Sequence, residues 1–269
     1  MSDFLKTMAE LSAERARAVN PALLSATFDK PLLPLQLGAF DVIAELKDRS
    51  PAEGELASHA GDRAERAQQY AQGGAVAISV LTEPSRFSGS LEHLEEVVAA
   101  VPGTPVMRKD FLVAPVQILE ARAAGASGVL LIVTMLDDGK LREMLDCAWQ
   151  HGMFVLLESF DSDDLARVNR LLENEVDRNK ADAGQLLIGI NTRNLRTLEV
   201  DSNRLEKLAS ELPPARCVAE SGLHTAQDAA RVSALGYSLA LVGTALMRSD
   251  NPAVLVTQMR AAGSERDPA

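Results

Sequence analysis

The chain has 269 residues, 46% of them apolar and 24% charged, a globular composition long enough for one large domain or two small ones. A net charge of −11 argues against nucleic acid or an anionic membrane as partner. No stretch reaches the roughly 18 unbroken apolar residues of a membrane helix.

The N-terminus, "MSDFLKTMAELSAERARAV", is dotted with charge and has no apolar signal-peptide core, so a cytoplasmic location is expected. Phe4, Leu5, Met8 and Leu11 recur at helical spacing, which predicts an amphipathic helix over 2–19. Pro21, Pro31 and Pro34 make 20–39 an irregular link. Short apolar runs then follow at "FDVIAELK" (40–47), "AVAISVLT" (75–82), "TPVMRKD" (104–110) and "GVLLIV" (128–133). They continue at "MFVLLES" (153–159), "LLIGIN" (186–191), "RCVAES" (216–221) and "LALVGT" (239–244). Helix-like stretches intervene, such as "APVQILEARAAG" (114–125) and "TAQDAARVSALG" (225–236), the second opening on a capping Thr225 and both stopping at Gly. The charged run "ENEVDRNKADAG" (173–184) reads as a helix end and a solvated loop.

Seven intervals separate the strand ends at Lys47 and Gly243, averaging about 28 residues, the length that a strand, two turns and a three-turn helix need. Eight such units in unbroken series predict an α/β fold, a parallel (β/α)8 barrel with an extra N-terminal helix. An open doubly wound sheet is the alternative, but no glycine-rich dinucleotide fingerprint follows the first strand. The expected organisation is a helix and linker over 1–39 packed on a barrel over 40–262, with a tail over 263–269. Cys147 and Cys217 lie far apart and match no metal or redox spacing, which predicts two reduced thiols.

In such a barrel the chemistry sits where the C-terminal strand ends converge. Those ends carry Glu45 and Lys47, Lys109, Glu158, Asn191 with Arg193, and Glu220. Desolvating an unpaired charge costs several kcal/mol, so gathering this many fits a paired network that tunes proton affinities for chemistry. Ser221-Gly222 and Gly243-Thr244 stand in the turns after strands 7 and 8, the usual phosphate site of this architecture. An anionic ligand would need those local cations to overcome the chain's own negative field.

Taken together, "VIAELKDRSPAEG", "ISVLTEPSRFSGSLEHL", "VMRKDFLV", "LLIGINTRNL", "VAESGLHT" and "LVGTALM" resemble the indole-3-glycerol phosphate synthase family from about residue 40 to 250. The resemblance implies a carboxy-lyase of tryptophan biosynthesis. It would convert 1-(2-carboxyphenylamino)-1-deoxy-D-ribulose 5-phosphate to indole-3-glycerol phosphate without metal or cofactor. It implies Lys109 as the acid on the ketone oxygen, Glu158 as proton acceptor in the dehydration, and Lys47 as partner of the substrate carboxylate. Glu45 and Glu220 would orient the lysines and bind hydroxyls, Asn191 would anchor a hydroxyl, and Arg193 would lie near the anthranilate ring. Ser50, Ser221, Gly222, Gly243 and Thr244 fall on phosphate-binding positions, and Phe111 and Leu131 would wall the ring. Asp110 reads as a turn residue behind Lys109, and Arg49, Glu53 and the four histidines as outside the chemistry. The expected partner is a small anionic substrate bearing phosphate and benzoate, with association with other tryptophan-pathway enzymes as a further expectation. The alternatives are a specialised paralogue with a related substrate, or a sugar-phosphate isomerase similar to phosphoribosylanthranilate isomerase. The latter chemistry wants a Cys/Asp or Asp/Asp pair at strand ends.

Overall fold

In a computed structural model, residues 3–50, 54–55, 62–193, 201 and 203–265 are described, without the side chains of Ser50 and Glu55. Eight parallel strands close into a barrel: β1 (Asp41–Leu46), β2 (Ala77–Leu81), β3 (Val106–Lys109), β4 (Gly128–Ile132), β5 (Phe154–Ser159), β6 (Leu186–Asn191), β7 (Arg216–Glu220) and β8 (Leu239–Val242). Each strand pairs with its sequence neighbours, and β8 returns to β1 with Asp41 opposite Leu239. A two-residue ribbon, Arg49–Ser50 against Gly54–Glu55, follows β1.

Apart from Lys109 and Arg216 at two strand ends, the strands are buried, so alternation sorts apolar residues between two cores rather than between core and water. Ile43, Met107, Leu130, Leu156, Leu187, Val218 and Leu241 fill the barrel interior. Their neighbours Val42, Ala44, Val129, Leu131, Val155, Leu157, Ile188 and Val242 pack outward on the helical ring. At the ends of β1, β3, β5 and β7 inward parity therefore falls on charged residues, Glu45, Lys109, Glu158 and Glu220.

The N-terminal helix α1 (Asp3–Ala18) buries Leu5, Met8 and Ser12, one helical face. It joins the upper interior cluster and is tied to the segment after Lys109. Arg15 Nη2 donates to Asp110 at 2.6 Å, and Gln117 Nε2 donates to Ser12 Oγ at 2.9 Å. The linker then crosses to the opposite end, where Leu33 N–H donates to Ser127 Oγ and Arg216 donates to the Gly38 carbonyl. Ser127 sits just before β4 and Arg216 opens β7, which places the linker under the barrel floor.

The run at 173–184 contains a helix, Glu175–Asp182, rather than a helix end and loop. Asn174 caps it, and its Asp177 is buried against Arg142 at 2.7 Å. Composition alone hid that partner, which lies 35 residues away. Thr225 does cap its helix (Ala226–Ala234), exchanging hydrogen bonds with Asp228 in a capping box.

Candidate active site

The charged strand ends meet at one mouth of the barrel. Lys109 Nζ lies 3.0 Å from Glu158 Oε2 and 3.3 Å from Glu220 Oε2, bridging β3 to β5 and β7. Asn191 Nδ2 donates to Glu158 Oε1 at 3.2 Å, and Asn191 Oδ1 accepts from Ser221 Oγ and the Arg193 N–H. On the other side Lys47 Nζ lies 2.7 Å from Glu45 Oε1. The carboxylates are almost wholly buried, and only 13% of the Lys109 side chain and 14% of the Lys47 side chain remain exposed. The cations can therefore reach a ligand while the acids stay behind them.

Burial works against charge on the Lys109 ammonium, but Glu158, Glu220 and Glu45 together outweigh it and push its proton affinity far up. Burial also pushes at the Glu45 carboxyl, yet Lys47, Lys109 and Arg193 hold it below its ordinary value. Glu220 goes the other way. Burial dominates and Glu158 adds to it, so the Glu220 carboxyl is raised well above the ordinary 4.5 despite Lys109.

The phosphate-candidate turns follow β7 and β8. Ser221 and Gly222 take consecutive left-handed conformations, with φ of 68° and 73°, turning successive N–H groups toward one side as an anion cradle does. Gly243 precedes the single-turn helix Thr244–Arg248. The expected phosphate contact of Ser50 involves a side chain outside the described residues, as do Glu53 and His59.

The structure overturns one expected contact. Leu131 faces the helices, packed among the outer residues Val129 and Val133, because its parity on β4 is opposite to that of the inward Leu130 and Ile132. The apolar wall is aromatic instead. Phe111 meets Phe4 of α1 edge-on at 5.9 Å and Phe87 at 6.2 Å between ring centroids. Sequence reasoning missed both, although Phe87 lies within one of the quoted motifs and Phe4 on the predicted helix. It also missed Ser79, whose buried hydroxyl on β2 makes no hydrogen bond among the described residues, and Gly189, which stands inside β6.

Asp110 lies behind Lys109, accepting from Arg15, Thr82 Oγ1 and Arg108. Arg49 is exposed, and His151 packs edge-on against Phe28. Cys217 is turned outward into the helical core, where burial pushes its thiol up to about 12. It is thus on the wrong wall for the Cys/Asp pair that the isomerase alternative requires.

A family model described as indole-3-glycerol phosphate synthase matches residues 25–259. A protein of that name from a Nocardioides species is 43% identical over 254 residues, covering 92% of this chain and 92% of the relative. Another, from Mycolicibacterium gilvum, is 42% identical over 259 residues, covering 96% of this chain and 88% of the relative. A third, from Saccharopolyspora erythraea, is 46% identical over 224 residues, covering 83% and 78%. Among solved structures, 3-hexulose-6-phosphate synthase from Salmonella typhimurium is similar with a TM-score of 0.60 at 17% identity, covering 83% of this chain and 98% of that one. That likeness shows the barrel alone.

Proposed function

The chain belongs to the indole-3-glycerol phosphate synthase family, and from that premise we propose that Lys109, held between Glu158 and Glu220, drives the ring closure. The enzyme is a carboxy-lyase of tryptophan biosynthesis. It closes, decarboxylates and dehydrates 1-(2-carboxyphenylamino)-1-deoxy-D-ribulose 5-phosphate to indole-3-glycerol phosphate.

Closure joins the ring carbon that bears the carboxylate to the ketone carbon, leaving negative charge on the ketone oxygen. Lys109 donates its proton there as the bond forms. Its elevated proton affinity keeps the ammonium protonated until charge develops on the ketone oxygen. Lys47 pairs with the substrate carboxylate and adds positive charge over the oxyanion, and Glu45 keeps it in place. Arg193 lies beside the anthranilate end. Loss of carbon dioxide restores the benzene ring. Dehydration then removes the new hydroxyl and a proton, which Glu158 accepts while Asn191 steadies it.

The phosphate is held by the N–H groups at Ser221 and Gly222 and around Gly243 and Thr244, with Ser50 from the loop after β1. Phe111, with Phe4 and Phe87, packs against the aromatic ring. A cytoplasmic location belongs to the same proposal, supported by the finding that no described helix is long and apolar enough to cross a membrane. Docking to other enzymes of the pathway rests on pathway membership alone.

The observation that carries these assignments is the Lys109 bridge between two buried carboxylates at the barrel mouth. Incubating the purified protein with the substrate should yield indole fluorescence. Glu158→Gln should retain phosphate-dependent binding while turnover falls by about 10²–10⁴. Wild-type turnover in that variant would remove Glu158 from the mechanism.

A further inference from the structure

We infer that Gly189 is a positioning residue for the reaction: it forms a notch in the barrel wall that seats the Glu220 carboxylate and so fixes where Glu220 holds Lys109. The inference rests on the roles proposed above for those two residues.

Gly189 lies in the middle of β6 and shares inward parity with Leu187 and Asn191. Its φ is not positive, so the backbone conformation does not demand glycine. A glycine inside a strand weakens it unless something must approach closely. Here something does. A Cβ built at 189 would overlap Glu220 Oε1, with Glu220 Cδ and Leu156 Cδ1 each at 3.2 Å. Glu220 Oε1 is buried and makes no hydrogen bond among the described residues. Among the described residues no donor reaches that oxygen, so the shape of the wall, together with the contacts of the carboxyl group to Lys109 and Glu158, sets where it lies.

The same device recurs across the mouth. A Cβ at Gly243 would overlap Glu45 Oε1 and come within 2.9 Å of Lys47 Nζ. In both cases the glycine stands at the end of, or within, the strand preceding the acid's own: β6 before β7, and β8 before β1. In both, the acid leans across the glycine and also meets a lysine of the site: Lys47 holds the same Glu45 oxygen that lies over Gly243, whereas Lys109 meets the Glu220 oxygen that points away from Gly189. Gly243 thus serves the Glu45–Lys47 pair in addition to any part in holding phosphate.

The test is a double-mutant cycle on wild type, Gly189→Ala, Glu220→Ala and the double variant, reading kcat, KM and the thermal midpoint. A shift of the acid by about 1 Å is enough to lower kcat roughly a hundredfold, and that loss is expected for Gly189→Ala with KM within about twofold. With Ala at 220 the added methyl has room, so Gly189→Ala should then cost little further kcat or midpoint, a strong non-additivity. Wild-type kcat in Gly189→Ala would overturn the inference. So would an equal loss of midpoint with and without Glu220, which would assign the glycine to packing against Leu156. If Glu220→Ala alone kept full kcat, the proposed role of Glu220 would fall and the positioning role with it. Loss of kcat in Glu220→Ala beside an additive cycle would sink the notch alone.

Discussion

Glu220 and Lys109 are both raised in proton affinity, and for Glu220 the shift becomes a dependence of stability on pH. Glu220 is raised above 4.5 in the fold, so the folded state binds its proton more tightly than the unfolded chain. Stability is then undiminished below the ordinary glutamate value and falls as pH climbs through the raised one. Glu220→Gln removes that loss, so the stability of the variant relative to wild type should increase from pH 5 towards neutrality in paired denaturant titrations. A constant difference would mean that Glu220 is ionised throughout. Leu131 gives the complementary prediction. As an outward core residue, Leu131→Ala should cost about 2–5 kcal/mol of stability and leave KM unchanged, whereas a ring-contacting residue would raise KM. The convergence of charged residues was legible because a charge ending an apolar strand is unusual. Leu131 was misplaced because an apolar strand buried on both faces gives no sign of which parity points inward, and only the register supplies it.

At the scale of elements, α1 is held over the mouth by side chains from distant positions. Arg15 bonds the buried Asp110 and lies 3.7 Å from Glu83, and Ser12 receives Gln117. Arg15→Ala removes a charged hydrogen bond worth about 2 kcal/mol, and the loss should appear as a lower denaturant midpoint with Arg15→Lys recovering part of it. No change in midpoint would show that α1 is held by its apolar face alone. The helix itself, the eight strands and the Thr225 cap were readable from periodicity and capping chemistry. The aromatic wall was not, because Phe4, Phe87 and Phe111 come from three separate elements and each is ordinary in its own segment. The helix at Glu175–Asp182 was hidden for the same reason, since Arg142 supplies the partner that lets Asp177 be buried.

Across the whole molecule, barrel closure does what no single strand could: it brings residues from β1, β3, β5, β6 and β7 and the turn after β8 to one mouth, while the chain as a whole carries −11. A ligand bound there links nearly the full circumference, so indole-3-glycerol phosphate at 100 times its Kd should stabilise the fold by about 2.7 kcal/mol. An unchanged midpoint would show that the product does not bind the folded chain. The convergence was foreseeable from the eightfold repeat, but the pairing of each lysine with its acids was not, since it depends on side-chain reach across the mouth. The most direct test of the account is Lys109→Met, measured for product binding by calorimetry and for ring closure in a single turnover. The account predicts near-normal binding with closure slowed by about 10²–10⁴. Closure at the wild-type rate would contradict it.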